Sequence, residues 1–365
     1  MDRLRDSPLM RSGLLTALLM AAVLLVFGGV WAAHMRGRIH RLRVIPVAPD
    51  TVQVPRPGGQ EIASLTRSPR ASSVTPEFVS ASLLPGIGME VLQISVNLPN
   101  RGELPLLLST PVNDLIAAGK RAQTSPFQVL IDGRAGPRRS TVNALGQRAA
   151  DRADDNTMPD GGEAIAYFYP TVTAADGTVS EDGVEVRIST LLSGRAVDIT
   201  MTAKNVSNTP RGIALAWQPR FAVPDSGIGH FSLILPSSDQ TDDARSASAT
   251  SKSRLGSRIT LGTRDYDVTL AHLKRSFFSS GPEAQLRNLE SGYTLHLTAL
   301  STSIRGLHFQ ADRGGKSVLL AFSTSTGDDD PRTLIGPGES MQWKVRMEVT
   351  ASPTYLPTQP EPAAE

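Results

Sequence analysis

Val197–Trp217 reads VDITMTAKNVSNTPRGIALAW. Val197, Ile199, Met201 and Ala203 alternate with Asp198, Thr200, Thr202 and Lys204, the two-residue period of a strand with one face buried and the other in water. Asn205–Pro210 then supplies the Asn, Ser, Thr and Pro of a turn, and an apolar run resumes at Ile213. A strand, a turn and a second strand follow from those residues alone.

The same period recurs on both sides of this stretch. MEVLQISVNL (Met89–Leu98), VEVRISTL (Val184–Leu191), YTLHLTAL (Tyr293–Leu300) and MQWKVRMEV (Met341–Val349) are further strand candidates. Turn signals such as Ala175-Asp176-Gly177, Glu181-Asp182-Gly183 and Gly336-Pro337-Gly338 separate such runs. A helix is expected only near VNDLIAAG (Val112–Gly119). Many strands in series with so little helix predict an all-β, antiparallel sandwich or barrel-like domain. No fixed-period repeat and no linker interrupts residues 74–351, so they are read as one domain, with the polar run ARSASATSKSRLGS near residue 250 as an exposed loop.

Composition bounds the function. The 365 residues are 40% hydrophobic, enough for a sizeable core. The pI of about 9.0 suggests an acidic partner, but the basic excess is local. Up to Arg43 there are seven arginines against Asp2 and Asp6, which leaves 30 basic and 33 acidic residues for the rest. A nucleic-acid groove needs its cations on the folded domain, so nucleic acid is excluded as a partner. With no cysteine there is no disulfide, no thiolate nucleophile and no Cys-based zinc site.

Those arginines flank SGLLTALLMAAVLLVFGGVWAA (Ser12–Ala33), 22 residues without a charge. As a helix this would span roughly 33 Å of hydrocarbon, one membrane crossing. The rival is a cleaved signal peptide starting at Met10 with small residues near Val30–Ala32, but the apolar core exceeds the usual signal length. The reading is therefore a basic flank (1–11), a transmembrane helix or signal anchor (12–33), an Arg- then Pro-rich linker (34–73), the β domain (74–351) and a polar tail (352–365). Arginine counts on the two sides of the helix slightly favour a cytoplasmic domain.

Four stretches carry a likeness. They are LLPGIGMEVLQISVNLPNRGELPLL (Leu83–Leu107), VDITMTAKNVSNTPRGIALAWQPRFAVP (Val197–Pro224), DYDVTLAHL (Asp265–Leu273), and KSVLLAFSTSTGDDDP (Lys316–Pro331) followed by LIGPGESMQWKVRMEV. In this order, over residues 76–350, they resemble the galactose mutarotase-like superfamily and within it the bacterial aldose 1-epimerases. The resemblance implies a twisted β supersandwich with a sugar on its concave face, a histidine acid at the ring oxygen and a glutamate base at the anomeric hydroxyl. It places a substrate-binding aspartate at Asp267. It also places the acid at Gln218, an amide that hydrogen-bonds but cannot deliver a proton, and the base at Ala321, which has no proton chemistry.

What the resemblance then implies is a membrane-anchored carbohydrate-binding protein with weak or no mutarotase activity, Trp217 and Gln218 standing at the pocket with Asp267. An envelope role would place the domain in the periplasm at a bacterial inner membrane, against the arginine count. One alternative is an active isomerase that recruits His230, His272 or Asp267; another is an interaction module that binds no sugar. A turn or strand-edge position is the plainer account of His230, and a partly buried structural one of His272. His296 and His308 sit in strand patterns with no carboxylate or histidine at ligand spacing, so no metal and no cofactor is assigned. DRADDN (151–156) and GDDDP (327–331) lack calcium-loop spacing and read as solvated loops. Arg134, Arg138 and Arg139 suit an anion or a surface loop equally. Tyr167, Phe168 and Tyr169 are read mainly as core.

Overall fold

The computed structural model describes residues 17, 19–31, 56–70, 74–99, 101–116, 124–131, 144–146, 148–173, 179–181, 183–223, 227–243, 258–326 and 333–352. From residue 56 onward these residues build two large antiparallel sheets that share one core. The nine-stranded sheet runs, edge to edge, Ile259–Thr260, Phe231–Ile234, Glu283–Asn288, Tyr293–Ala299, Ser340–Ala351, Ala196–Asn205, Val184–Leu192, Gly161–Phe168 and Arg152–Met158. The eight-stranded sheet runs Ser238–Asp243, Tyr266–Leu273, Gly306–Ala311, Ser317–Ser323, Arg211–Trp217 and Thr333–Ile335, with Arg220–Ala222 beside Ser317–Ser323 and Phe127–Ile131 beside Arg211–Trp217. The expected all-β sandwich is what forms.

Register makes the alternation physical. Ala284, Leu297, Met347, Val197 and Leu192 are successive cross-strand partners, and all five are buried. One residue away, Glu283, Thr298, Arg346, Asp198 and Leu191 form the neighbouring row on the opposite face. There the Arg346 guanidinium grips Asp198 with two bonds, Nε to Oδ1 at 2.7 Å and Nη2 to Oδ2 at 2.8 Å. Burial alone would raise the Asp198 carboxyl; the Arg346 fork and Lys344 outweigh it and hold it below the ordinary carboxylate range. On the inner face, the Trp343 indole donates to the Phe322 carbonyl of the other sheet at 3.0 Å.

A four-stranded sheet of Ala63–Thr66, Glu77–Leu84, Glu90–Leu98 and Gly102–Pro105 precedes these strands. It corrects the linker read over 34–73. Ala63–Thr66 pairs with Glu77–Leu84, Leu65 is fully buried, and Arg67 makes a buried 2.9 Å bridge to Glu77. A four-residue strand contributing one core leucine carries too little period to stand out among prolines. The acidic run near 151 is likewise a strand rather than a loop: Arg152–Met158 is an edge strand with every residue exposed. The expected helix is only Val112–Ile116 within the described residues.

Residues 17 and 19–31 are helical and exposed, Leu24 and Phe27 among them. Among the described residues no helix is long and apolar enough to cross a membrane. The remainder of the expected 12–33 span, the 327–331 run, Arg134, Arg138, Arg139 and the tail from 353 lie outside the described residues.

Glu90 is a further carboxylate drawn partly out of water. It begins the Glu90–Leu98 strand and accepts a bond from the Thr124 hydroxyl. Desolvation pushes its carboxyl from 4.5 up to about 6, against the lowering effect of Thr124. A carboxyl that binds its proton more tightly folded than unfolded makes stability fall as pH rises through that window, by about 2 kcal/mol for a shift of this size. Glu90→Gln should therefore be more stable than the native chain at about pH 8 and lose the part of the slope that Glu90 supplies between about pH 4.5 and about pH 6. Urea unfolding at a series of pH values checks this.

Candidate functional site

The outward face of the eight-stranded sheet holds a cleft of about 340 Å³, within the range of small-molecule sites. Two rows of cross-strand partners make its floor. Thr269, His308 and Ala321 form one; Gln128, Ala216, Ser323 and Gly306 form the other. Ala216 and Ala321 are small and almost fully covered, so the floor is low, while Gln128, Gln218, Thr269, Ser323 and His308 stand around it half-buried. Gln218 follows the Arg211–Trp217 strand, held by its own amide nitrogen bonded to the Pro126 carbonyl at 3.0 Å. Ser325 and Thr326 close one end. They can approach because residue 306 is glycine: a Cβ there would lie 2.7 Å from the Ser325 carbonyl oxygen.

The lining is mixed, with Leu130 and Leu307 beside the amides and hydroxyls, and almost neutral. The side-chain amides of Gln128 and Gln218 have no partner among the described residues, and each offers both donor and acceptor. His308 is the one titratable side chain among the described residues that line the cleft. Its Nε2 lies 2.8 Å from Asp267 Oδ1, and Asp267 sits two positions before Thr269 on the neighbouring strand, just outside the lining. Among the described residues no group of three or more His, Asp or Glu could hold a metal ion.

Of the residues singled out from sequence, Gln218 and Ala321 share the cleft, and Asp267 is joined to it through His308. Trp217 does not face it. Its ring is 1% exposed, stacks on Phe127 at 6.2 Å and donates Nε1 to the Ser125 carbonyl at 3.1 Å, on the core side. The rim placement of Trp217 is thus corrected: adjacent strand residues point to opposite faces, and a Gln218 turned to the cleft sends Trp217 inward. His230 is exposed at the turn before Phe231–Ile234, in the other sheet. His272 is exposed at the end of its strand with φ 53°. Neither lines the cleft.

The residue that sequence reasoning passed over is His308. Its partner is 41 positions away, beyond any local spacing rule. The usable signal was the period: Asp267 and Thr269 lie on one face of YDVTLAHL, and His308 and Gln310 on one face of GLHFQA. Of the other aromatics, Phe168 is core, Tyr167 lies on the outer face beneath Arg152, and Tyr169 is exposed.

This arrangement of strands recurs in solved structures. The chain has the galactose mutarotase-like fold. It superposes on a putative aldose 1-epimerase from Escherichia coli K12 with a TM-score of 0.53 at 12% identity, covering 80% of this chain and 99% of that one. A galactose mutarotase-like protein from Clostridium acetobutylicum gives 0.54 at 13% identity over 80% and 98%. The GalM/aldose epimerase homologue from C. elegans gives 0.56 at 12% over 80% and 99%. No family model matches the sequence, and no curated protein does. At such identities the likeness to mutarotase-like structures is one of fold.

The placement of two adjacent residues on opposite faces has a direct consequence for stability. Trp217→Ala should cost about 3–5 kcal/mol, as for a large core aromatic, whereas Gln218→Ala should stay within about 1 kcal/mol of the native chain. Denaturant midpoints of the two variants check the assignment.

Proposed function

We propose that this chain is a membrane-tethered carbohydrate-binding protein on the mutarotase-like fold, with weak or no aldose 1-epimerase activity. The observation that carries the reading is the cleft itself: amides, hydroxyls and an imidazole around a floor of alanines. Such groups match a ring of sugar hydroxyls, each of which needs a donor and an acceptor, and the low floor admits the ring. The relatives named as epimerases support the sugar class, and Gln218 and Ala321 support the loss of the usual chemistry. An amide can orient a ring oxygen and a methyl can only leave room. Since one positioned acid or base contributes about 10²- to 10⁴-fold, losing both removes most of the acceleration.

A second reading, an isomerase with relocated proton-transfer groups, is favoured by one observation, the His308–Asp267 pair. The tether rests on the uncharged stretch Ser12–Ala33, whose described part is helical with its apolar side chains exposed. An enzyme for free cytoplasmic sugar gains nothing from a tether; a receptor for envelope glycans does. This favours a periplasmic domain.

In the full chain, neutral hexoses near 100 times their Kd should raise unfolding free energy by about 2.7 kcal/mol, and Gln218→Ala should shrink the gain. Thermal unfolding across neutral, amino and acidic sugars measures it; no stabilisation by any of them would leave the interaction module as the better account. For sidedness, proteolysis of intact spheroplasts should digest the domain, and protection until lysis would refute the envelope placement.

A further inference from the structure

By the resemblance, Gln218 and Ala321 stand where an acid and a base are expected, yet the cleft keeps one side chain of the acid–base type, His308. His308 stands directly across from Ala321 on the adjacent strand; Cβ atoms of such partners are about 5 Å apart. The methyl at 321 leaves the volume over that position open, and the imidazole borders it. His308 Nε2 is engaged by Asp267 Oδ1 at 2.8 Å, while Nδ1 has no partner among the described residues. A carboxylate accepts and does not donate, so Nε2 carries the hydrogen and Nδ1 presents its lone pair. The Asp267 carboxylate thus holds a ring that borders the cleft, the pairing that orients a general base.

From this geometry we infer that His308, positioned by Asp267, is the base of the cleft and acts at the anomeric hydroxyl of an aldose. The inference rests on the reading of the cleft as a sugar site. Nδ1 takes the proton of the hydroxyl on C1. The C1–O bond of the ring breaks, its electron pair passes to the ring oxygen, and that oxygen takes a proton from water, leaving hydroxide. Gln218 donates a hydrogen bond in this scheme and no proton. Rotation about C1–C2 and reclosure then produce the other anomer: the ring oxygen attacks C1 and gives its proton to hydroxide, and the imidazolium returns its proton to the anomeric oxygen. Atoms and charge balance, with water as the only co-reactant. With one positioned group in place of two, the acceleration is small, on the order of 10²-fold.

The experiment is polarimetry of freshly dissolved α-D-glucose and α-D-galactose with the full chain, alongside sugar-induced thermal stabilisation by the same two sugars. The native chain should accelerate exchange of whichever sugar stabilises it. His308→Gln should abolish that acceleration and keep the stabilisation. Asp267→Asn, which still bonds the ring but no longer fixes its tautomer, should lower kcat at least tenfold with KM little changed. Stabilisation without acceleration, or His308→Gln as active as the native chain, overturns the assignment and leaves the sugar site standing. If neither sugar stabilises the chain nor exchanges faster, both the base and the carbohydrate reading fall.

Discussion

Trp343 reaches across the interior to donate its indole hydrogen to the Phe322 carbonyl, and the Phe322 side chain lies in the same interior. Side chains alternate along a strand, so Ala321 and Ser323 must point the other way. The ladder carries that choice outward. Ala321 opposes His308, His308 opposes Thr269, and Ser323 opposes Ala216, which in turn opposes Gln128. A one-residue slip of the Ser317–Ser323 strand would turn Leu320 and Phe322 into the cleft and Ala321 into the core. The cleft is what remains on the far side once the core is satisfied.

That same parity explains how much could be read without coordinates. The alternation in VDITMTAK and MQWKVRMEV displays half-buried strands because one of their faces is partly wet. Ser317–Ser323 is covered on both faces from Val318 to Phe322, so its run of apolar residues hides which of them face the site. Ala63–Thr66 was lost among prolines for the opposite reason, having a single buried leucine to declare it. Trp217 was misassigned although parity already decided the matter: it cannot share a face with Gln218. The His308–Asp267 pair required register between strands distant in sequence, information no single segment contains.

The two sheets also differ in what their outward faces do. The nine-stranded sheet presents paired charges, Arg346 with Asp198 and His296 with Glu283 at 2.6 Å, on its outward face. The cleft side offers neutral amides and hydroxyls with one imidazole. Charge steers and solubilises; arrays of neutral donors and acceptors discriminate one polyol from another, because each unmatched group is left desolvated. Fold alone would permit either use of the cleft face. The lining chemistry is the ground on which we propose a polyol as ligand.

The most direct test is a crystal structure of the chain grown with a saturating neutral hexose. The account predicts a pyranose lying over Ala216 and Ala321, with Gln218 within hydrogen-bond distance of one hydroxyl or the ring oxygen and His308 Nδ1 at the anomeric hydroxyl. A hexose ordered on another surface, or the Trp217 indole turned out to meet it, would contradict the account.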